Sequence, residues 1–240
     1  MFIQTPCYEI MDDRLEPPLG LLYLATWLNH HGCDTHLLDL SSVPPEFWEQ
    51  SIPTADIYGF STYTTSFHRT LEILNIAKKI NPGAVTVAGG PHASALPESV
   101  SRYFDFVVVG EGERAMLHLI TSLKSNEILP SILYGTPIPK LDDLPFPDYS
   151  LVDIASYHRV VDGRSSLSVL SSRGCPYRCV FCNSIIMGGG RNVRYRTAEN
   201  VISELQQLKT EYGFTSFRFQ DDNFTLNLPR LKEMTALLKP

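Results

Sequence analysis

The 240-residue chain has no long apolar run, no surplus of positive charge and little cysteine. No stretch reaches the roughly 18 consecutive apolar residues of a membrane-spanning helix, so a helical span is excluded. The formal net charge is −6, from 20 basic and 26 acidic residues. That balance argues against a broad surface for nucleic acid or anionic lipid, while leaving room for a local basic pocket. No secretion signal is read at the start, and five cysteines without one fit a reducing, cytoplasmic setting. What is present is ordinary for a folded protein. Hydrophobic residues make up 43%, and the length suffices for one large or two medium domains.

The cysteines are unevenly spread. Three fall in Cys175-Pro176-Tyr177-Arg178-Cys179-Val180-Phe181-Cys182, a C-x3-C-x2-C spacing after the strand-like run Ser166–Ser172. Thiolates are the usual ligands of iron–sulfur clusters, and three of them leave one iron of a 4Fe–4S cluster open to another ligand. Zinc with a histidine as fourth ligand is the competing reading, although zinc sites more often use a second, distant C-x2-C pair. A disulfide reading suffers from the odd number, and a Pro- and Arg-containing loop is a poor core segment.

Up to about residue 125 the chain alternates strand and helix patterns. Met1–Thr5, Thr35–Leu40, Asp56–Phe60, Ala84–Ala88 and Asp105–Val109 read as strands, the last three as runs buried on both faces of a parallel sheet. Leu21, Leu24, Ala25 and Leu28 share one helical face, which Gly32 is placed to end. Ile73, Ile76, Ala77 and Ile80 form a second stripe before Asn81-Pro82-Gly83, and Met116, Leu119, Ile120 and Leu123 a third. Five βα units predict an α/β domain with an open, doubly wound parallel sheet over residues 1–135.

Pro130, Pro137, Pro139, Pro145 and Pro147 then interrupt the rhythm, predicting a proline-rich linker over 136–165. A second region, 166–240, restarts it. It reads as strand Ser166–Ser172, the cysteine loop, helix Glu199–Tyr212 with Val201, Ile202, Leu205 and Leu208 inward, and strand Thr215–Gln220. A helix opened by Asn227-Leu228-Pro229 then runs through Lys239. Two βα units cannot close a barrel. Ile202, Leu205, Phe217, Phe219, Leu231 and Leu237 are therefore expected to lack partners, and the chain after about Arg164 to be poorly ordered.

Ligands of open α/β sheets sit outside the carboxyl ends of the strands, near the topological switch point. Those ends here supply Ser61 and Thr62, then Gly89-Gly90-Pro91-His92, then Gly110-Glu111-Gly112. Paired glycines let a ligand approach the backbone, and the two hydroxyls can meet a polar edge or phosphate.

The cysteine spacing, with an aromatic just before the last cysteine, resembles the signature of radical S-adenosylmethionine (SAM) enzymes. Five phrases are similar to the cobalamin-binding domain found before many radical SAM domains. They are Pro17-Pro18-Leu19-Gly20-Leu21-Leu22-Tyr23-Leu24-Ala25, Gly59-Phe60-Ser61, Ala88-Gly89-Gly90-Pro91-His92, Val109-Gly110-Glu111-Gly112-Glu113 and Leu144-Pro145-Phe146-Pro147-Asp148. The resemblance implies a cobalamin-binding sheet followed by the first two βα units of a partial, TIM-like radical SAM barrel. It implies a 4Fe–4S cluster on Cys175, Cys179 and Cys182, with SAM and cobalamin as the other cofactors. It implies reductive cleavage of SAM to a 5′-deoxyadenosyl radical, and methyl transfer as the most common outcome. Cyclisation and rearrangement occur in other members. A non-catalytic cobalamin or iron–sulfur binding module, or an inactive truncated remnant, is the alternative class.

Residue roles follow from the same resemblance. Phe181 would pack beside the cluster with its backbone toward the adenine. Arg194 or Arg196 would meet the SAM carboxylate, an interaction suited to a guanidinium fork. Asp221 or Asp222 would accept from the SAM ammonium, where many relatives have Gly-Gly-Glu. Proteins that ligate cobalamin through histidine carry Asp-x-His-x-x-Gly after the first strand, but Pro6 to Glu16 contains no histidine. Cobalamin without a histidine lower ligand is therefore implied, with His92 making a polar contact to the corrin or nucleotide tail. The expected partners are a small-molecule or peptide substrate and an electron donor such as a flavodoxin or ferredoxin. Neither nucleic acid nor a membrane is expected. Measured against a barrel of about six units, roughly two thirds would be missing, so the chain reads as a fragment or as one completed by another chain.

Overall fold

Short apolar runs punctuated by glycine and proline become parallel strands. The computed structural model describes residues 1–7, 12–187 and 190–238. Strands β1 (Phe2–Gln4), β2 (Leu37–Asp39), β3 (Ile57–Ser61), β4 (Val85–Gly89), β5 (Phe106–Val109) and β6 (Ile132–Tyr134) form one sheet, ordered β2-β1-β3-β4-β5-β6. All its pairings are parallel. The order reverses at β1, which puts the switch point between β1 and β3.

Alternation along each strand feeds two cores. Ile3, Phe60, Val107 and Val109 point to one, and Phe2, Val87 and Val108 to the other. Helices α1 (Leu19–His30) and α6 (Gly112–Lys124) cover the second face through Ala25, Leu28, Ala115 and Leu119. The first face is covered by α2 (Trp48–Ser51), α3 (Phe67–Ile80), α4 (Gly90–Ala95) and α5 (Pro97–Val100), through Trp48, Ile73, Ala77, Ala93 and Val100. The doubly wound sheet is as expected, but it has six strands rather than five. Ile132-Leu133-Tyr134 follows Pro130 closely, and the proline signal obscured it.

The stretch 136–165 is not a solvated linker. It forms 3-10 turns at Leu141–Asp143, Tyr149–Leu151 and Ile154–Ser156, and it buries Ile138, Leu141, Leu144 and Tyr149. Proline excludes helix and central strand, but it does not exclude packing. These residues join Leu19, Leu22 and Tyr23 of α1 to Leu167, Val169, Ile202, Leu205 and Leu208. α1 is thus apolar on two sides. One stripe serves the sheet, and the other serves the second region.

That region begins with β7 (Val160–Val161) and β8 (Arg164–Val169), paired antiparallel. Next, β9 (Ser172–Arg173) pairs antiparallel with β10 (Arg194–Tyr195). Between them lie the cysteines and α7 (Ser184–Met187). α8 (Ala198–Tyr212) starts at Thr197, whose side chain accepts from Asn200 N–H, and stops at Gly213 with φ +76°. β11 (Ser216–Phe219) lies parallel to β8, and α9 (Leu228–Leu237) follows, its Asn227 cap accepting from Arg230 N–H. Lys239 lies outside the described residues.

The expected lack of partners holds only in part. Ile202 and Leu205 are 7% and 5% exposed, because α1 and 136–165 supply their contacts. Phe217, Phe219 and Leu231 are half-buried, and Leu237 is exposed.

Candidate functional site

The carboxyl ends of β3, β4 and β5 are shaped by glycine. Gly90 has φ +89°, and a Cβ there would lie 2.9 Å from Thr62 N. A Cβ on Gly59 would sit 2.7 Å from the Phe2 ring. Gly90 therefore lets the end of β4 close on the end of β3, and Gly59 makes room for the Phe2 ring within the sheet. Gly20, at the start of α1, differs: nothing lies within 4 Å of an added Cβ, so a side chain there would project into open space.

That space is a cavity of about 340 Å³. One wall is the strand-end rim: Ser61, Gly89, Gly90, Gly110 and Gly112. The opposite wall comes from the second region: Ser172, Arg173, Gly174, Gln220 and Asp222. Between them the floor is apolar, with Leu21, Val87, Val108 and Met116. A glycine rim over an apolar slot lets the edge of a large ligand approach the backbone while a narrow part enters against the sheet; the slot could take part of a cobalamin, not the whole of it. A second, more polar cavity of about 430 Å³ adjoins it at Gly20, Ser61, Tyr63 and Gln220.

Three residues expected at the rim are used otherwise. Thr62 is fully buried; its hydroxyl donates to Gly89 O at 2.7 Å and accepts from Ala93 N–H at 3.0 Å. It staples β3 to α4 and has no free edge for a ligand. His92 is also buried. Its Nδ1 lies 2.9 Å from Thr64 Oγ1 and its ring 4.3 Å from that of Phe67. Burial lowers its pKa, and the ring does not line the cavity. Glu111 does line the cavity, but its carboxylate is occupied. It accepts from both terminal nitrogens of Arg194 and from Ile138 N–H at 3.0 Å, and Arg173 Nη1 lies 3.4 Å away.

The arginines expected to meet SAM are likewise engaged. Arg194 donates to Glu111 and to Ile138 O. Arg196 is 4% exposed, and all three of its nitrogens donate within the protein. They reach Glu204, Asn200, Leu170 O and Tyr23 Oη. Its plane also lies over Phe146, 5.2 Å from the ring centroid. Arg196 therefore ties α8 to α1 and 136–165. Asp221 is consumed as well, accepting from Ser171 N–H and from the Ser171 and Ser172 hydroxyls at 2.5–2.7 Å. Asp222 keeps a face on the cavity and accepts from the Ser184 hydroxyl at 2.7 Å.

Cys179 and Cys182 are exposed and Cys175 partly so, all on one irregular loop. The Ser184 hydroxyl, 3.0 Å from Cys182 Sγ, and the Ser184 backbone N–H favour the thiolate there and lower its pKa. One hydroxyl proton serves either Asp222 or the sulfur at a given moment. Among the described residues no group of three or more His, Cys, Asp or Glu is gathered to hold a metal ion. The donor set nevertheless suits iron–sulfur chemistry: three soft thiols sharing one loop. Phe181 is 90% exposed.

Sequence reading passed over two residues that line the cavity, one from each wall. Arg173 is hidden just before the cysteine motif, and Glu113 sits in a quoted phrase with no role assigned. Arg173 Nη2 donates to Glu113 at 2.7 Å, and its guanidinium lies 5.4 Å from the Tyr23 ring centroid. Burial would raise the Glu113 pKa, but Arg173 outweighs it and holds the carboxyl below its usual range. The signal available was a basic residue flanking each end of the cysteine segment, facing an acidic phrase of matching size.

Fold and site together define an α/β cofactor protein with its ligand cavity at a strand-end rim, closed by a cysteine-bearing segment. The B12 binding domain profile matches residues 14–120, and the radical SAM superfamily profile matches residues 169–240. The chain belongs to the radical SAM enzyme family, with a B12-binding domain preceding part of the radical SAM domain. An uncharacterized methyltransferase of Pyrococcus horikoshii is 33% identical over 93% of this chain and 52% of its own length. The hopanoid C-2 methylase of Rhodopseudomonas palustris is 33% identical over 92% of this chain and 40% of its own. The solved structure of OxsB, a cobalamin-dependent SAM radical enzyme with aqua-cobalamin bound, superposes with a TM-score of 0.75 at 19% identity. It covers all of this chain and 37% of that one, and shows a shared fold. The chain thus spans about half or less of the relatives it matches. No helix among the described residues is long and apolar enough to cross a membrane.

Proposed function

We propose that this chain carries the cobalamin-docking domain and the cluster-bearing start of a cobalamin-dependent radical SAM methyltransferase. The observation that carries this reading is the two-walled cavity, with the glycine rim of the sheet on one side and the neck of the cysteine segment on the other. When bound, the cluster and cobalamin would supply the reductive cleavage of SAM and the carriage of a methyl group. The protein's part is to bind and orient. Gly89, Gly90, Gly110 and Gly112 would admit the corrin edge, and Ser61 would offer it a hydroxyl. Pro91, at the first turn of α4, fixes the direction of the rim. Cys175, Cys179 and Cys182 would hold the cluster, and Asp222 is the carboxylate left with a face toward SAM. No histidine lines the cavity among the described residues. A reduced flavodoxin or ferredoxin would supply electrons at the exposed cysteine loop, in the cytoplasm. The substrate is a small molecule or peptide.

Anaerobic reconstitution with iron, sulfide and aquacobalamin, followed by SAM and strong reductant, tests the reading. Uptake of both cofactors with formation of 5′-deoxyadenosine is expected. Uptake without SAM cleavage would favour a binding module. Failure to take up cobalamin would overturn the assignment.

A further inference from the structure

The antiparallel pair β9–β10 is the neck of the cysteine segment. The cysteine segment runs between Arg173 and Arg194, and these two arginines are direct partners in the register. Past the cysteines it also touches the rim, where Asn183 Nδ2 donates to Pro91 O at 3.2 Å. Both reach the same carboxylate, Glu111, which stands on the loop after β5. Arg194 holds it with two nitrogens, and Arg173 Nη1 lies 3.4 Å away. Arg173 then reaches on to Glu113 at 2.7 Å. The four side chains are nearly closed to solvent: Glu111 is 3% exposed, Glu113 6% and each arginine 12%. Two carboxylates and two guanidiniums balance in charge, which is what makes their burial tolerable. Glu111 and Glu113 flank Gly112 on the cavity rim, and Arg173 and Gly174 line the opposite wall.

We propose that Glu111 is a positioning residue. Its carboxylate closes the neck of the cysteine segment and seats that segment on the rim where cobalamin would dock, so that loading one cofactor site is felt at the other. The first half concerns this chain alone, and the second rests on the function proposed above. Coupling of this kind is reciprocal: whatever cobalamin does for the cluster, the cluster does for cobalamin.

Limited trypsin digestion of the chain without cofactors tests the neck. Arg178 and Arg191 are exposed within the segment and report its ordinary accessibility, whereas Arg194 is held by Glu111, and Arg173 by Glu113 with Glu111 3.4 Å away. In Glu111→Gln, cleavage after Arg173 and Arg194 should rise about tenfold relative to cleavage after Arg178. In Arg194→Lys, which keeps the charge but loses the fork, the rise after Arg173 should be smaller. An unchanged ratio overturns the proposal. So does an equal rise after Lys79 and Lys124 in the first-domain helices, since that would be general unfolding. In the reconstituted chain, aquacobalamin should slow chelator-driven iron loss several-fold, and Glu111→Gln should abolish that protection. Equal protection in the variant also overturns the coupling. A changed trypsin ratio in a chain that takes up neither cofactor would uphold the neck and sink the proposed function instead.

Discussion

The two sheets of this chain are stabilised differently. The sheet β2-β1-β3-β4-β5-β6 has helices on both faces and supplies two cores of its own. The sheet β11-β8-β7 has three strands, and its main core is completed by Leu19, Leu22 and Tyr23 of α1 with Ile138, Leu141 and Tyr149. A small sheet with few strands is marginal alone. Here it leans on a finished domain through one helix that is apolar on two sides. The cavity forms along that seam, so the weaker region contributes the chemistry and the stronger one holds it in place.

The largest effect should separate the two regions by chemistry. Cys175→Ala, Cys179→Ala or Cys182→Ala should eliminate the iron–thiolate absorbance of the reconstituted protein, while aquacobalamin is still taken up, only several-fold more weakly than by the cluster-loaded chain. Stoichiometric zinc with no iron uptake in anaerobically purified protein would defeat the cluster assignment.

Arg196→Met should come next. It strands Glu204, 1% exposed, without its partner. Breaking a buried pair in this way costs roughly 3–5 kcal/mol, readable by urea denaturation. Unchanged stability combined with lost SAM binding would restore Arg196 as a ligand contact.

Leu205→Ala probes the shared core. Removing this 5%-exposed side chain should cost about 2–5 kcal/mol, whereas Leu237→Ala, at a position 43% exposed, should stay within about 0.5 kcal/mol. Equal, small losses at both sites would mean that the second region does not use α1 as a partner.

The smallest effect is a pH dependence at the seam. His158 Nε2 lies 2.6 Å from Asp12 Oδ2, and this hydrogen bond, with help from Ser156 O, raises the His158 pKa above its ordinary 6.5. The folded state therefore favours the imidazolium. Its contribution is full below pH 6.5 and fades as pH rises through the folded pKa. An NMR titration of His158 should show the raised midpoint, and Asp12→Asn should lower it toward the ordinary value. A midpoint that ignores Asp12 would discount the pair.

Much of the fold was legible where residues obey local rules. Buried parallel strands read as continuous apolar runs, and helices α3, α6 and α8 show one clean stripe each. The cysteine motif needs only spacing to be seen. What escaped depends on contacts distant in sequence. Leu19, Leu22 and Tyr23 form a second stripe on α1 whose purpose appears only when α8 arrives. The prolines of 136–165 signalled a broken rhythm but not the burial of Ile138 and Tyr149. Thr62, Glu111, Arg194, Arg196 and Asp221 carry the residue types of a ligand site, and their occupied hydrogen bonds are visible only in three dimensions.

Gly135 bears on how variants of this protein would behave in a genetic screen. Its N–H donates to Val109 O at 2.8 Å, and an added Cβ would fall 1.9 Å from the carbonyl oxygen of Glu111. Even alanine there must push the Glu111 loop aside. Such an allele would alter no group that meets a cofactor, yet it would score as a cofactor-loading defect, and a second-site suppressor would be sought most profitably in the loop 110–113.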